Sequence, residues 1–261
     1  MARFYPLFSS SSGNCSFIGD ERGGVLVDAG VSCKRITDAL RYNGIEPEAV
    51  RAVFVTHTHS DHVNGLRVFV KKYGCAVFAQ EKNIRELLDT GKLEQDTQTI
   101  PLEEGPADVA GMRIAHFETL HDCAASCGFT FEYSDGKKAA LCTDLGIVTD
   151  TVRQALTGCD MLLLESNYDE DMLRTSSYAY PLRERIRSDH GHLSNDSCSA
   201  LLRELMESGT RRFVLGHLSR ENNLPSIARK TALAALAGYE DGVDFTLDIA
   251  APENYTKAVV F

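Results

Sequence analysis

The sequence predicts an α/β fold in one domain spanning residues 1–261, and three observations carry that prediction. Short apolar runs, such as residues 25–27, 52–55 and 161–164, have the length and composition of buried strands and alternate with helical patterns such as residues 33–42. The 261 residues are 43% hydrophobic, enough to bury one large core, and no Pro/Gly/Ser-rich linker, repeat or low-complexity tract divides them. Metal-binding side chains crowd Thr56-His57-Thr58-His59-Ser60-Asp61-His62, between the run at 52–55 and the helical pattern from 66. Such strand-to-helix turns are where α/β enzymes place their chemistry.

Residues 4–8 and 15–18 read as strands around the loop Ser9-Ser10-Ser11-Ser12-Gly13-Asn14. Its small hydroxyls and glycine either leave backbone N–H groups open to a phosphate or make an ordinary hairpin loop. The turn at 20–24 leads to a strand ending on Asp28, and Ser32 is placed to cap a helix over 33–42 that Asn43-Gly44 stops. After the histidine loop come a strand at 76–79, a helix from about 81 to 90 closed by Gly91, and an acidic stretch at 92–109 expected to cross the surface. Residues 112–118 alternate as a strand, with His121 in the following loop; residues 129–133 with Asp135-Gly136 signal a hairpin, and Asp144 follows a strand at 139–142.

The run at 161–164 ends on Glu165, and helical pattern resumes at 182–186. Ser194 can cap a helix over 196–207, which puts His192 just outside a helix N-terminus, where anions are favoured. Gly216-His217 closes a strand at 211–215, followed by a polar loop holding Arg220, a helix over 226–237 and strands near 245–249 and 257–261. The candidate ligands therefore fall at strand ends, and these ends converge if the strands share one direction.

A net charge of −10 argues against indiscriminate binding to nucleic acid. Residues 181–230 nevertheless carry nine Lys/Arg against six Asp/Glu, so a local polyanion groove stays open, with Arg183, Arg185, Arg187 and Arg220 as phosphate contacts. The start Met1-Ala2-Arg3-Phe4-Tyr5-Pro6 lacks the apolar core of a signal peptide, and no apolar run approaches the ~18 residues that span a bilayer. A cytoplasmic protein that does not engage membranes is expected. Eight cysteines without a CxxC pair read as small core residues of a reducing compartment.

In extended chain, residues two apart point the same way, so His57 and His59 can grip one ion while the turn redirects Asp61 and His62 toward a second. Imidazole and carboxylate donors suit zinc, manganese or iron. A carboxylate has two oxygens, so Asp144 can serve both ions.

The pattern His57-x-His59-x-Asp61-His62 resembles the motif that defines the metallo-β-lactamase fold superfamily, and the likeness runs from end to end. Its later single ligands match His121 in Thr119-Leu120-His121-Asp122, Asp144 in Leu141-Cys142-Thr143-Asp144 and His217 in Leu215-Gly216-His217. Ser11-Ser12-Gly13-Asn14, Glu165-Ser166-Asn167-Tyr168, Gly191-His192-Leu193-Ser194-Asn195 and Gly216-His217-Leu218-Ser219 look most similar to the YycJ/WalJ group of nuclease-like hydrolases. The resemblance implies a four-layered αββα sandwich and two divalent ions. His57, His59 and His121 would hold one, Asp61, His62 and His217 the other, with Asp144 shared. Asp28 would brace the histidine loop without touching a metal.

The implied activity is a phosphodiesterase, a 5′-to-3′ exonuclease on DNA more than RNA, in which ions about 3.5–4 Å apart hold a nucleophilic hydroxide. Asp61, Glu165 and His192 are the candidate catalytic residues, with His192 as the acid for the leaving oxygen and Glu165 orienting it, a partnership similar to one in the tRNase Z branch. Ser12, Asn14, Ser194, Asn195 and Arg220 are candidate substrate contacts. Only 72 residues lie between Asp144 and His217, too few for the insertion domain of β-CASP nucleases. The rival readings are a hydrolase of a small-molecule ester, thioester or cyclic phosphodiester, and a metal-stabilised signalling module. The full ligand set disfavours the module, since a purely structural site needs no open coordination position.

Overall fold

The structure is a computed structural model that describes residues 1–254 and 258–261. Its first half builds β1 (Arg3–Phe8), β2 (Cys15–Asp20), β3 (Gly23–Val27), β4 (Val50–Phe54), β5 (Ala76–Ala79) and β6 (Thr99–Pro101). The second half builds β7 (Ala107–Val109), β8 (Met112–Glu118), β9 (Cys127–Tyr133), β10 (Lys138–Cys142), β11 (Met161–Glu165), β12 (Arg212–Gly216) and β13 (Thr246–Ile249). A last short strand, β14 (Val259–Val260), returns to pair with β1. Residue 257, where the final strand is expected to begin, lies outside the described residues.

Among the described residues the strands form two seven-stranded sheets, ordered β14-β1-β2-β3-β4-β5-β6 and β13-β12-β11-β10-β9-β8-β7. Each sheet starts with antiparallel hairpins and continues with parallel strands joined by helical crossovers. The hairpins β8-β9 and β9-β10 reverse direction twice, so β8 runs the same way as β10, β11 and β12. The chain segments that hold His121, Asp144, Glu165 and His217 therefore leave the sheet at one end, as the direction argument requires.

The first sheet is covered outside by α1 (Cys33–Tyr42), the single turn α2 (Ser60–Val63), α3 (Leu66–Tyr73) and α4 (Glu81–Asp89). Their apolar faces, with Ile36, Leu40, Leu66, Phe69 and Leu87, pack on Leu7, Phe17 and Val53. The second sheet is covered by α5 (Asp150–Leu156), α8 (Asn195–Glu207) and α9 (Pro225–Ala235), while α6 (Glu170–Thr175) and α7 (Tyr180–Arg187) form an excursion between β11 and α8. Val152, Leu202 and Ala232 are the buried anchors of α5, α8 and α9. Between the sheets lies a third apolar cluster, in which Phe54 stacks on Phe78 at 4.5 Å and meets Phe129 of the facing sheet edge-on at 5.5 Å. The result is the expected αββα sandwich.

Ser32 and Ser194 cap α1 and α8 as their positions suggest, accepting from Arg35 N and Ser197 N. The stretch at 92–109 is less featureless than expected, since it supplies the three-residue edge strands β6 and β7. The helices α5 and α6, of seven and six residues, are too short to show helical periodicity, and only their caps Thr149 and Asp169 announce them. Every cysteine is free; Cys123 alone is half-buried and the rest are buried.

Candidate metal centre

The site begins with the brace beneath it. Asp28 leaves β3 in the left-handed region, φ 61°, and its two oxygens accept from Thr56 N and Thr56 Oγ1 at 2.9 Å and from His62 Nδ1 at 2.7 Å. Because the Thr56 hydroxyl gives its proton to Asp28, it accepts from His57 Nδ1 at 3.0 Å. One buried carboxylate thereby sets the tautomer of two histidines, leaving both Nε2 lone pairs outward.

The same arrangement recurs on the second sheet. His121 Nδ1 donates to Gly191 O at 2.9 Å, and His217 Nδ1 donates to Glu165 Oε1 at 2.8 Å. Asp144 and His217, like Asp28, take positive φ within two residues of a strand end, at 59° and 53°. Three of the four non-glycine residues with positive φ, among the described residues, thus serve this site, each at a cost of roughly 1–2 kcal/mol. The turn aims a side chain that glycine does not have.

Close backbone approach holds the histidine loop in register. Asn14 N donates to Asp61 O, Ala29 N to His62 O and Gly65 N to Ala29 O, each at 2.8 Å. A Cβ on Gly30 would stand 1.6 Å from Asp61 O, and one on Gly65 would stand 1.9 Å from Val31 O. Asn14 adds a side-chain contact, donating to Asp61 Oδ2 at 3.2 Å with its amide nitrogen 3.0 Å from His62 Nε2.

The donor atoms converge in overlapping groups whose members lie within 4.8 Å of one another: His57, His59 and His121; His57, His62 and Asp144; and Asp61, His62 and His217. Asp144 sits between them, with Oδ2 3.3 Å from His62 Nε2 and Oδ1 3.8 Å from His121 Nε2. His57 Nε2, His217 Nε2 and Asp144 Oδ2 are buried and have no hydrogen-bond partner among the described residues. Acceptors buried in this way are costly unless a cation joins them, and the N/O donor set suits a hard or borderline divalent ion. The residues present therefore fit the metal that the fold implies.

Electrostatics agree. Burial and the neighbouring imidazoles hold His57 well below the usual histidine range. Burial would do the same to His62 and His217, but Asp144 with Asp28 and Asp61 pushes His62 well up, and Asp144, Asp61 and Glu165 push His217 up to about 10. The carboxylates make a pocket that favours positive charge.

Glu165 also lies within reach of Asp144, His192 and His217. Its oxygens are already taken, Oε1 by His192 Nδ1 and His217 Nδ1 and Oε2 by Leu145 N and Leu193 N, so it orients the histidines. Burial resists the charge on both groups, yet their attraction wins: Glu165 is held below the usual carboxylate range and His192 above the usual histidine range.

The remaining sequence-picked residues divide. Ser12 and Arg220 are exposed and open to a ligand. Asn14 is not on an open surface, being 7% exposed and engaged with the histidine loop. Ser194 is spent on the α8 cap, and Asn195, 1% exposed, is locked to Ser166 Oγ and to the amide of Asn223. The side chains of Asn14, Ser194 and Asn195 are therefore engaged within the protein, whereas those of Ser12 and Arg220 face outward. Sequence reasoning missed Thr56, Ser9, whose hydroxyl accepts from His217 N at 2.8 Å, and Asn167, which donates to His217 O at 2.8 Å. Thr56 adjoins the motif, but no spacing rule marks the other two.

The profile of the Beta-lactamase superfamily domain matches residues 24–218. Exodeoxyribonuclease WalJ of Streptococcus pneumoniae serotype 2 (strain D39 / NCTC 7466) is 37% identical over 261 residues, covering 97% of this chain and 96% of the relative. Exodeoxyribonuclease YycJ of Bacillus anthracis is 32% identical over 258 residues, covering 97% of each. Among solved structures, the metallo-beta-lactamase fold protein YhfI from Bacillus subtilis superposes over 100% of both chains with a TM-score of 0.76 at 15% identity, a likeness of fold.

Proposed function

The chain belongs to the metallo-β-lactamase superfamily and is a metal-dependent hydrolase, and from that premise we propose a dinuclear phosphodiesterase, a 5′-to-3′ exonuclease on DNA. The exodeoxyribonuclease relatives, matched over nearly their whole length, support DNA as the substrate. The observation that carries the phosphodiesterase is the 2.8 Å pair of Glu165 Oε1 and His192 Nδ1, because a phosphodiester needs a proton on its leaving oxygen and this pair can hold one.

His57, His59 and His121 would hold one ion and Asp61, His62 and His217 the other, with Asp144 placed to serve both; zinc, manganese and iron all suit these donors. When bound, the ions polarise the phosphate and lower the pKa of water toward ~7. Asp28 and Glu165 fix the ring tautomers so that the Nε2 lone pairs of His62 and His217 would be free for an ion. With Nδ1 committed to Glu165, His192 delivers its proton from Nε2 to the departing oxygen. Ser12 and Arg220 are the exposed contacts assigned to the substrate strand. Ligands from both sheets meet in one centre, which fits a single hydrolase domain over residues 1–261.

The test is degradation of 5′-labelled and 3′-labelled DNA and RNA with added manganese or zinc, beside Asp61→Ala. Release by wild type alone, starting at the 5′ end of DNA, is the expected result. No release with either metal, at two ions per chain, would overturn the nuclease and direct attention to small-molecule esters and cyclic phosphodiesters.

A further inference from the structure

Asp122 follows His121 and stands at the mouth of the metal centre, its side chain 26% exposed beside His59, which is 34% exposed. Its Oδ1 lies 3.3 Å from His121 Nε2 and 3.9 Å from His59 Nε2. Those separations match the ones that the ligands of the dinuclear reading keep among themselves: 3.3 Å and 3.8 Å from Asp144 to His62 and His121, and 3.6 Å from Asp61 to His217. Donors each about 2.0–2.2 Å from a common ion necessarily stand about 3–4 Å apart.

The tautomer of His121 sharpens the point. Its Nδ1 proton goes to Gly191 O, so Nε2 presents a lone pair toward a carboxylate oxygen. Two acceptors that face each other in this way are repulsive unless a proton or a metal ion lies between them. The other carboxylate oxygen, Oδ2, accepts from Arg185 Nε. Arg185 belongs to α7, a helix that buries none of its residues and is fastened to the site by this bond and by His192 N donating to Ile186 O at 2.9 Å. Arg185 thus holds Asp122 in place without help from core packing.

We propose that Asp122 is a further carboxylate ligand of the ion held by His57, His59 and His121, positioned by Arg185 on the solvent side where an incoming phosphate exchanges with it. The proposal rests on the dinuclear reading above. A phosphate arriving at that face meets both the ion and the guanidinium that Asp122 engages.

The experiment is a titration of metal-stripped full-length protein with manganese, followed by calorimetry and by the electron paramagnetic resonance spectrum of the bound ion, for wild type, Asp122→Asn, Arg185→Ala and His121→Ala. Asp122→Asn is expected to weaken one of the two equivalents about 10- to 100-fold and to alter the spectrum of that ion, leaving the other equivalent as in wild type. Arg185→Ala, which keeps every proposed ligand, weakens the same equivalent by less, and it carries the test if Asp122→Asn does not fold. Wild-type affinities and spectra in both variants, with only a lower melting temperature, would overturn the proposal and leave Asp122 as a pin for α7. Fewer than two equivalents in wild type, or a titration unmoved by His121→Ala, would instead overturn the dinuclear reading and the proposal with it.

Discussion

Glu165 Oε1 accepts from His192 Nδ1 and from His217 Nδ1, both at 2.8 Å, so one carboxylate oxygen orients the proposed acid and a proposed metal ligand together. Their losses should separate cleanly. His192→Ala is expected to lower turnover about 10²- to 10⁴-fold with metal content unchanged. Glu165→Gln should lower turnover and also weaken one metal equivalent about 10- to 100-fold, because a carboxamide cannot accept both ring protons at one oxygen and keep two backbone donors at the other. Turnover paired with elemental analysis checks both; a His192→Ala enzyme at wild-type rate would remove His192 from the mechanism.

Thr56 carries a second prediction. Its hydroxyl passes the hold of Asp28 to His57, a relay 2.9 Å and 3.0 Å long. Thr56→Val preserves shape and strands the His57 Nδ1 proton, which costs about 1–3 kcal/mol and weakens metal binding about tenfold, whereas Thr56→Ser should restore both. Chemical unfolding and a metal titration read the two effects. Equal behaviour of the valine and serine variants would show the hydroxyl to be idle.

The parts of this site that could be read from sequence are those compressed into few residues. His57, His59, Asp61 and His62 announce themselves because one turn holds them all. His121, Asp144 and His217 are isolated in sequence, so only the family resemblance selects them, and the common direction of β8, β10 and β12 explains why they meet. The supports resist such reading for physical reasons. Gly191 acts through a carbonyl, Ser9 through a hydroxyl accepting one backbone proton, and neither role constrains neighbouring residue types. At Asn195 and Ser194 sequence does not separate two uses, because a polar residue beside a motif satisfies buried backbone and amide groups as readily as it meets a ligand.

Away from the metal centre, Asp160 gives a pH-dependent stability. Burial would raise its carboxyl, but Lys138 N at 2.9 Å and the Lys137 ammonium at 3.1 Å hold it below the usual range. A depressed folded pKa contributes stability that is present above the ordinary aspartate value of about 3.9 and is lost as pH falls through the folded value. Its side chain is one-third exposed, so the contribution is discounted to about 1 kcal/mol at neutral pH. Asp160→Asn should therefore be less stable than wild type at pH 6, with the gap closing below pH ~3.9. A gap constant from pH 6 to pH 3 would assign the effect to something other than ionisation.

Gly30 and Gly136 make the last prediction, a comparison between crowding and strain. Gly30 passes so close to the histidine loop that a Cβ would meet Asp61 O at 1.6 Å, Asp61 C at 2.4 Å and Asn14 N at 2.7 Å, all backbone atoms that cannot rotate away. Gly136, in the β9-β10 hairpin, has φ 84° and open space around its Cβ position. Gly136→Ala should cost only the left-handed strain, about 1 kcal/mol, and leave metal binding untouched. Gly30→Ala must move either the 28–31 turn or the loop that presents Asp61 and His62, at about 3 kcal/mol or more. Because these two segments are tied by the Asn14, Ala29 and Gly65 amides, displacement of one displaces the ligands, so metal affinity should fall together with stability. A Gly30→Ala protein that loses stability but binds metal as wild type would show that the turn yields alone and that its hydrogen bonds do not position the histidine loop.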